Sequence, residues 1–163
     1  MQTIIQQNQS LIEQAIQLIS AVPTSLYRSC CEEVFSPSIG QHIRHCIEHY
    51  DELFMAWDEV RAIRYCDRPR NMEVETDPQV AVSRLRFIFN QLNRIGEKDV
   101  PLKVSDGGVA APSMSSLTRE LEFLVSHTVH HFALITVLAN KLRIEVPENF
   151  GIAPTTLRYR ESN

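Results

Sequence analysis

No Cys-x-x-Cys pair occurs among the four cysteines of this chain, so neither a zinc ribbon nor a dithiol redox motif is on offer. Positive charge is not in excess. Sixteen Lys and Arg stand against twenty Asp and Glu, and the net −4 argues against nucleic acid as a partner. Glycine is scarce at five residues, and alternating strand patterns are missing except at residues 100–104, VPLKV. There is no internal repeat and no low-complexity segment. No apolar run marks a membrane span of roughly 20 residues. The opening MQTIIQQNQS carries neither a basic region nor a cleavage site. A cytoplasmic location with reduced thiols is the expectation. Cys30 and Cys31 are vicinal and poorly placed to bridge each other. Cys46 falls on an apolar stripe as a small hydrophobe, and neither it nor Cys66 is expected to have catalytic duty.

What is present is helical periodicity. With 163 residues, 44% of them hydrophobic, residues 1–163 form one domain long enough to bury a core. A first helix is expected over residues 4–21, stopped before Pro23. A second starts at SPSIGQH, where Ser38 and Gln41 make a capping box, and is expected to run to about Ala62 or Tyr65. A third starts at Asp77–Pro78, with proline at the position that tolerates it, and ends at Gly96. A fourth is capped by Ser115 or Ser116 and reaches about Leu142. The expected class is all-α, a four-helix bundle with long connections at residues 65–76 and 97–115. Proline and glycine in PENFGIAPTTLRYR argue against helix there. The tail, residues 146–163, is expected to pack as an irregular strap through Phe150, Ile152 and Leu157.

All six histidines fall in two short segments, QHIRHCIEHY (His42, His45, His49) and HTVHH (His127, His130, His131). On a helical wheel Leu124, His127, His131, Leu134, Ile135 and Leu138 share the core-facing stripe of the fourth helix. His127 and His131, at i and i+4, can reach one metal ion, although this spacing alone is a weak signal. The histidines of the second helix form a stripe beside its apolar face. In an up-down bundle helices two and four run parallel, which leaves His45 and the HxxxH pair within roughly 6–12 Å in height. Convergence on a divalent metal is the expectation. His42 and His130, off the best lines, are expected at the surface or behind the ligands. The plain alternative is a set of core histidines bonded to carbonyls.

SIGQHIRHCIEHYDEL, followed some eighty residues later by RELEFLVSHTVHHFALI, resembles the DinB/YfiT-like superfamily of metal-binding four-helix bundles. The resemblance covers the whole chain in helix order. The YCDRPRN…ETDP segment and the terminal FGIAPTTLRYR look like features of an uncharacterised branch. In the family the first ligand lies seven residues after a Ser or Thr at the start of helix two. Ser38 to His45 fits, and the HxxxH pair maps onto His127 and His131. His49 is an alternative or auxiliary ligand. The resemblance implies thiol-dependent S-transferases and isomerases that use low-molecular-weight thiols such as bacillithiol or mycothiol. A related domain helps build the iron site of the sulfoxide synthase that makes ergothioneine. Fold does not fix function.

Three neutral imidazoles leave positions open for water or substrate, the layout of a catalytic site. A divalent ion there would lower the pKa of a bound water or thiol. Zinc, nickel and iron suit such a donor set equally. The expected chemistry is attack by a thiol or water on a small-molecule electrophile. Glu120, two turns before His127 and about 10 Å along the axis, is the candidate base, or simply a carboxylate near a helix N-terminus. The entrance is expected between residues 23–37, with Tyr27 and Arg28, and residues 97–115, where Gly107–Gly108 would allow a lid to move. Arg64, Arg68 and Arg70 are expected roughly 30 Å from the metal, binding a partner's anion or pairing with Glu73, Glu75 and Asp77. The competing class is a non-catalytic protein that senses or stores metal or pairs with another chain, and a homodimer is the expected assembly.

Overall fold

The computed structural model describes residues 1–30, 37–108 and 110–162; Cys31, like the rest of residues 31–36, lies outside them. The described chain is mostly helical. Its helices are α1 (Gln2–Ala21), α2 (Thr24–Tyr27), α3 (Ile39–Asp58), α4 (Met72–Thr76), α5 (Pro78–Asn93), α6 (Leu117–Lys141) and α7 (Pro154–Glu161). β1 (Pro101–Val104) and β2 (Ser113–Ser116) pair antiparallel, Leu102 opposite Ser115. An all-α class holds, with this hairpin as the exception.

The helix starts follow their capping chemistry. Ser38 accepts the Gln41 N–H while the Gln41 side chain accepts the Ser38 N–H. Asp77 accepts the Gln79 N–H with Pro78 behind it. Ser116, rather than Ser115, accepts the Arg119 N–H. The helix stops are less regular. α3 ends at Asp58, short of the expected Ala62 or Tyr65, because Val60 takes a left-handed conformation with φ 54° and the Arg61 N–H turns back to the Ala56 carbonyl. This is the αL helix stop usually built with glycine. α6 ends the same way at Arg143, φ 56°, with the Ile144 N–H on the Ala139 carbonyl.

The principal packing pairs are α1 with α5 and α6, and α3 with α5 and α6, so the four long helices lie in ring order α1, α5, α3, α6. Leu11, Ile12, Leu18, Ile43, Tyr50, Leu53, Leu85, Ile88, Leu121, Leu124 and Ile135 fill the centre. Two polar side chains, Asn8 and Thr128, sit among them. Asn8 is fully buried, accepts the Tyr50 hydroxyl at 2.7 Å and donates to the Leu121 carbonyl at 3.2 Å, so α1, α3 and α6 are joined through it. Leu134, assigned from the wheel to the core stripe, is instead exposed. By length and composition alone α6 is long and apolar enough to cross a membrane, contrary to the expected lack of such a run. Core helices share that property, and α6 packs along α1 and α3.

The tail differs from expectation. Residues 154–161 are helix α7 rather than an irregular strap, since Pro154 occupies its first turn, where the missing N–H is not needed. Phe150 stacks on Phe132 with centroids 4.2 Å apart. Gly151, at φ 74°, lets the chain approach the α6 backbone, where a Cβ would lie 2.9 Å from Phe132 C and Ala133 N. The link between α5 and α6 is likewise not without regular structure. β1 and β2 at its two ends pair with each other, and the Lys103 carbonyl accepts the Ile63 N–H while the Ser105 N–H donates to the Ile63 carbonyl.

The start of α3 is pressed against α4. A Cβ on Gly40 would stand 2.0 Å from the Glu75 carbonyl oxygen and 2.8 Å from the Tyr27 ring. Gly40→Ala is expected to lower stability by about 1–3 kcal/mol in urea titration, as overpacking against backbone does. Unchanged stability would mean that α4 does not seat on α3.

Candidate metal centre

The two histidine segments meet. His42 lies against His131, with ring centroids 5.2 Å apart. His45 lies between His127 at 5.0 Å and His131 at 4.5 Å. His49 lies against His127 at 4.0 Å and Phe123 at 6.2 Å. Advancing along α3 therefore means retreating along α6. The helices are direct neighbours running antiparallel, which corrects the parallel arrangement expected of an up-down bundle. In this register the ladder closes near the middle of α6 without the end-matching that the parallel geometry needed.

His45, His127 and His131 offer one nitrogen each, all within 4.8 Å of one another, a group close enough to hold a metal ion. Small side-chain rotations would bring such nitrogens to the about 2.0–2.1 Å of a zinc–imidazole bond. His127 Nε2 is buried with no hydrogen-bond partner, the condition of a nitrogen meant for a ligand that no protein donor replaces. His49 is not in the trio. Its Nδ1 faces the His45 carbonyl at 2.7 Å, which fixes its ring as a wall beside His127. His42, expected at the surface or behind the ligands, is buried, with Nδ1 3.0 Å from His131 Nδ1, where it can orient the His131 ring. His130 is exposed.

Burial keeps these rings neutral. Desolvation, aided by the Arg68 charge, pushes His45 down to about 4 and His127 to about 4. Desolvation first, then the neighbouring imidazoles, push His131 down to about 3. His49 falls to about 3 by desolvation, against the pull of its carbonyl bond. Neutral imidazole is the form that ligates.

Arg68 is where sequence reasoning missed most. It does not stand roughly 30 Å away. Its Nη2 lies 3.2 Å from His45 Nδ1 and its Nε lies 4.0 Å from Glu48 Oε2. The early stop of α3 sends the chain back along the helix. Glu52 holds the return by accepting both Arg61 Nη1 at 2.6 Å and Nη2 at 3.0 Å, together with the Arg64 N–H. Arg64, exposed, pairs loosely with Asp67 at 3.7 Å, and Arg70 is exposed. Glu75, expected among the partners of that cluster, takes Arg44 instead, at 2.8 Å. Only the early helix stop, invisible as a left-handed valine, could have shown Arg68 at the site.

Glu120 is buried, and both of its oxygens are engaged. Oε2 accepts the Tyr65 hydroxyl at 3.0 Å and Oε1 accepts the Ser115 hydroxyl. Its hydrogen-bond partner Tyr65 is stacked on His49 at 5.2 Å. Glu120, Tyr65 and Ser115 line a cavity of about 300 Å³ with Phe123, Arg119 and Met114. Tyr27 and Arg28 do not frame the site, since their side chains bind the Val74 and Thr76 carbonyls and tie α2 to α4.

The lowered values give a pH dependence with a definite sign. Between about 6.5 and about 4 the unfolded chain carries protons on these rings that the folded chain does not, so folding stability falls as pH falls. Metal-free protein is expected to keep full urea resistance above pH 6.5 and to lose it progressively down to pH 4. A flat profile across that window would mean that the rings are solvated.

No family model matches the chain, and no solved structure matches it. Over 118 residues, 68% of the chain, it is 33% identical to a curated protein, FK506-binding protein 5 of Rhizopus delemar. The aligned region is 31% of that protein, so the chain spans about a third of the length of the curated relative it matches.

Proposed function

We propose that this chain is a DinB/YfiT-like four-helix bundle that holds a divalent metal on His45, His127 and His131 and uses it on a small electrophile, with a thiol or water as the attacking group. The observation that carries the reading is the trio itself, three nitrogens within 4.8 Å of one another on rings kept neutral by burial. When bound, the ion supplies Lewis acidity that brings a coordinated thiol or water toward its anion at neutral pH. The chain's own part is to hold the donors. His42 fixes the tautomer and angle of His131. The His49 ring, pinned to the His45 carbonyl, and Phe123 shield His127 from bulk water. Zinc, nickel and iron all suit three imidazoles, and where a thiol rather than water attacks, the cosubstrate is a low-molecular-weight thiol. FK506 binding, a property in the name of the matched relative, is not carried over, because most of that protein lies outside the alignment.

Elemental analysis of protein purified without chelators tests the reading. Close to one transition metal per chain is expected in the wild type, and His127→Ala is expected to lose most of it. Added metal should raise stability by about 2.7 kcal/mol at a hundredfold excess over Kd. Metal absent from both proteins under every loading condition would sink the proposal.

A further inference from the structure

The contact between Arg68 and His45 conflicts with metal binding, and the conflict points to what the site accepts. A guanidinium only donates, so the His45 Nδ1 that faces Arg68 Nη2 at 3.2 Å must present its lone pair. Neutral imidazole has one such lone pair, and the hydrogen then sits on Nε2. An ion taken by Nδ1 displaces the arginine directly. An ion taken by Nε2 moves the hydrogen to Nδ1, where it opposes the arginine N–H. Either route frees Arg68.

Among the described residues, the freed guanidinium has no unengaged carboxylate beside it. Its Nε is already buried with no hydrogen-bond partner, and the side chain is only 15% exposed. The carboxylate that Arg68 faces among the described residues, Glu48, is 4.0 Å away and otherwise engaged. Its Oε1 accepts Arg44 Nη1 at 2.8 Å and the Asn71 N–H at 2.9 Å, and its Oε2 accepts Arg44 Nη1 at 2.8 Å. Nε and Nη2 form one edge of the guanidinium fork, whose two parallel N–H groups match a carboxylate. Three neutral ligands also leave the charge of the ion uncompensated, which favours an anion beside it.

We propose that Arg68 caps His45 while the site is metal-free and, once metal binds, presents its Nε–Nη2 edge to the carboxylate of a small-molecule ligand held at the metal. The substrate or thiol is thus a carboxylate-bearing compound, and Arg68 determines that specificity. The inference rests on the metal-site reading above.

Cobalt-loaded protein supplies the test, because thiolate ligation to Co(II) appears as a charge-transfer band. The wild type, Arg68→Gln and Arg68→Lys are titrated with 3-mercaptopropionate and with its neutral counterpart 3-mercapto-1-propanol. The wild type should prefer the carboxylate, and Arg68→Gln should reduce that preference by roughly tenfold or more, the effect of one charge-assisted hydrogen bond. Arg68→Lys, a charge without the fork, should keep part of it. A preference that survives unchanged in Arg68→Gln, equal affinities in the wild type, or ligation of neither thiol by loaded wild type overturns the assignment while leaving the metal site standing. A wild type that takes up no cobalt fails at the earlier step and removes both readings.

Discussion

α3 and α6 pack side by side in opposite directions, and the chemistry near the histidines depends on that contact. Their ring contacts run in strict counter-order, His42 with His131, His45 with both HxxxH rings, His49 with His127 and Phe123. A slip of one helical turn would pair His45 with Phe123 or with Ile135 and break the trio. The register is held from outside the site, by Asn8 on α1, which bonds at once to Tyr50 of α3 and to the Leu121 carbonyl of α6. The ring order also accounts for two long connections. α1 and α3, and likewise α5 and α6, are successive long helices but not principal packing partners, so no tight hairpin loop joins either pair.

Placing so many imidazoles together has an electrostatic consequence. His42, His45, His49, His127 and His131 are pushed below their ordinary value chiefly by desolvation, and neighbouring positive or titrating groups add to it. A cluster of this kind resists protonation without any carboxylate to support the charged form. The carboxylates nearby are spent elsewhere, Glu48 and Glu75 on Arg44, Glu52 on Arg61, Glu120 on Tyr65 and Ser115. The interior of the histidine cluster is thus a set of neutral nitrogen donors edged by one guanidinium, suited to a cation first and an anion second.

Residues whose effect is local were readable in the sequence. Ser38 with Gln41, and Asp77 with Pro78, start their helices as capping chemistry requires, and the 3.6-residue period put His127 and His131 on one face. Cys46 is buried, as its stripe implied, with its thiol pushed up to about 12 by burial. What escaped depends on tertiary context. Ser113–Ser116 has no strand pattern and becomes one because β1 offers it an edge. Pro154 reads as a helix breaker and serves as a helix start. The antiparallel neighbour relation of α3 and α6 has no local signature, because periodicity reports a face and not the direction of whatever packs on it.

Val60 is the case in which a local residue misled most and mattered most. A β-branched residue is a poor choice for a left-handed stop, so nothing in EVRAIRY announces that the helix is over. The conformation persists because Arg61 locks onto Glu52 immediately after it and Ile63 is buried against the β hairpin. Had α3 continued straight, Arg68 would lie 23 residues beyond His45, roughly 35 Å along the axis. The reversal brings it to 3.2 Å from the His45 ring instead. The charge at the edge of the cluster is therefore set by a backbone turn fifteen residues after His45 and eight before Arg68, and the strain held at Val60 is what places an arginine beside the His45 ring.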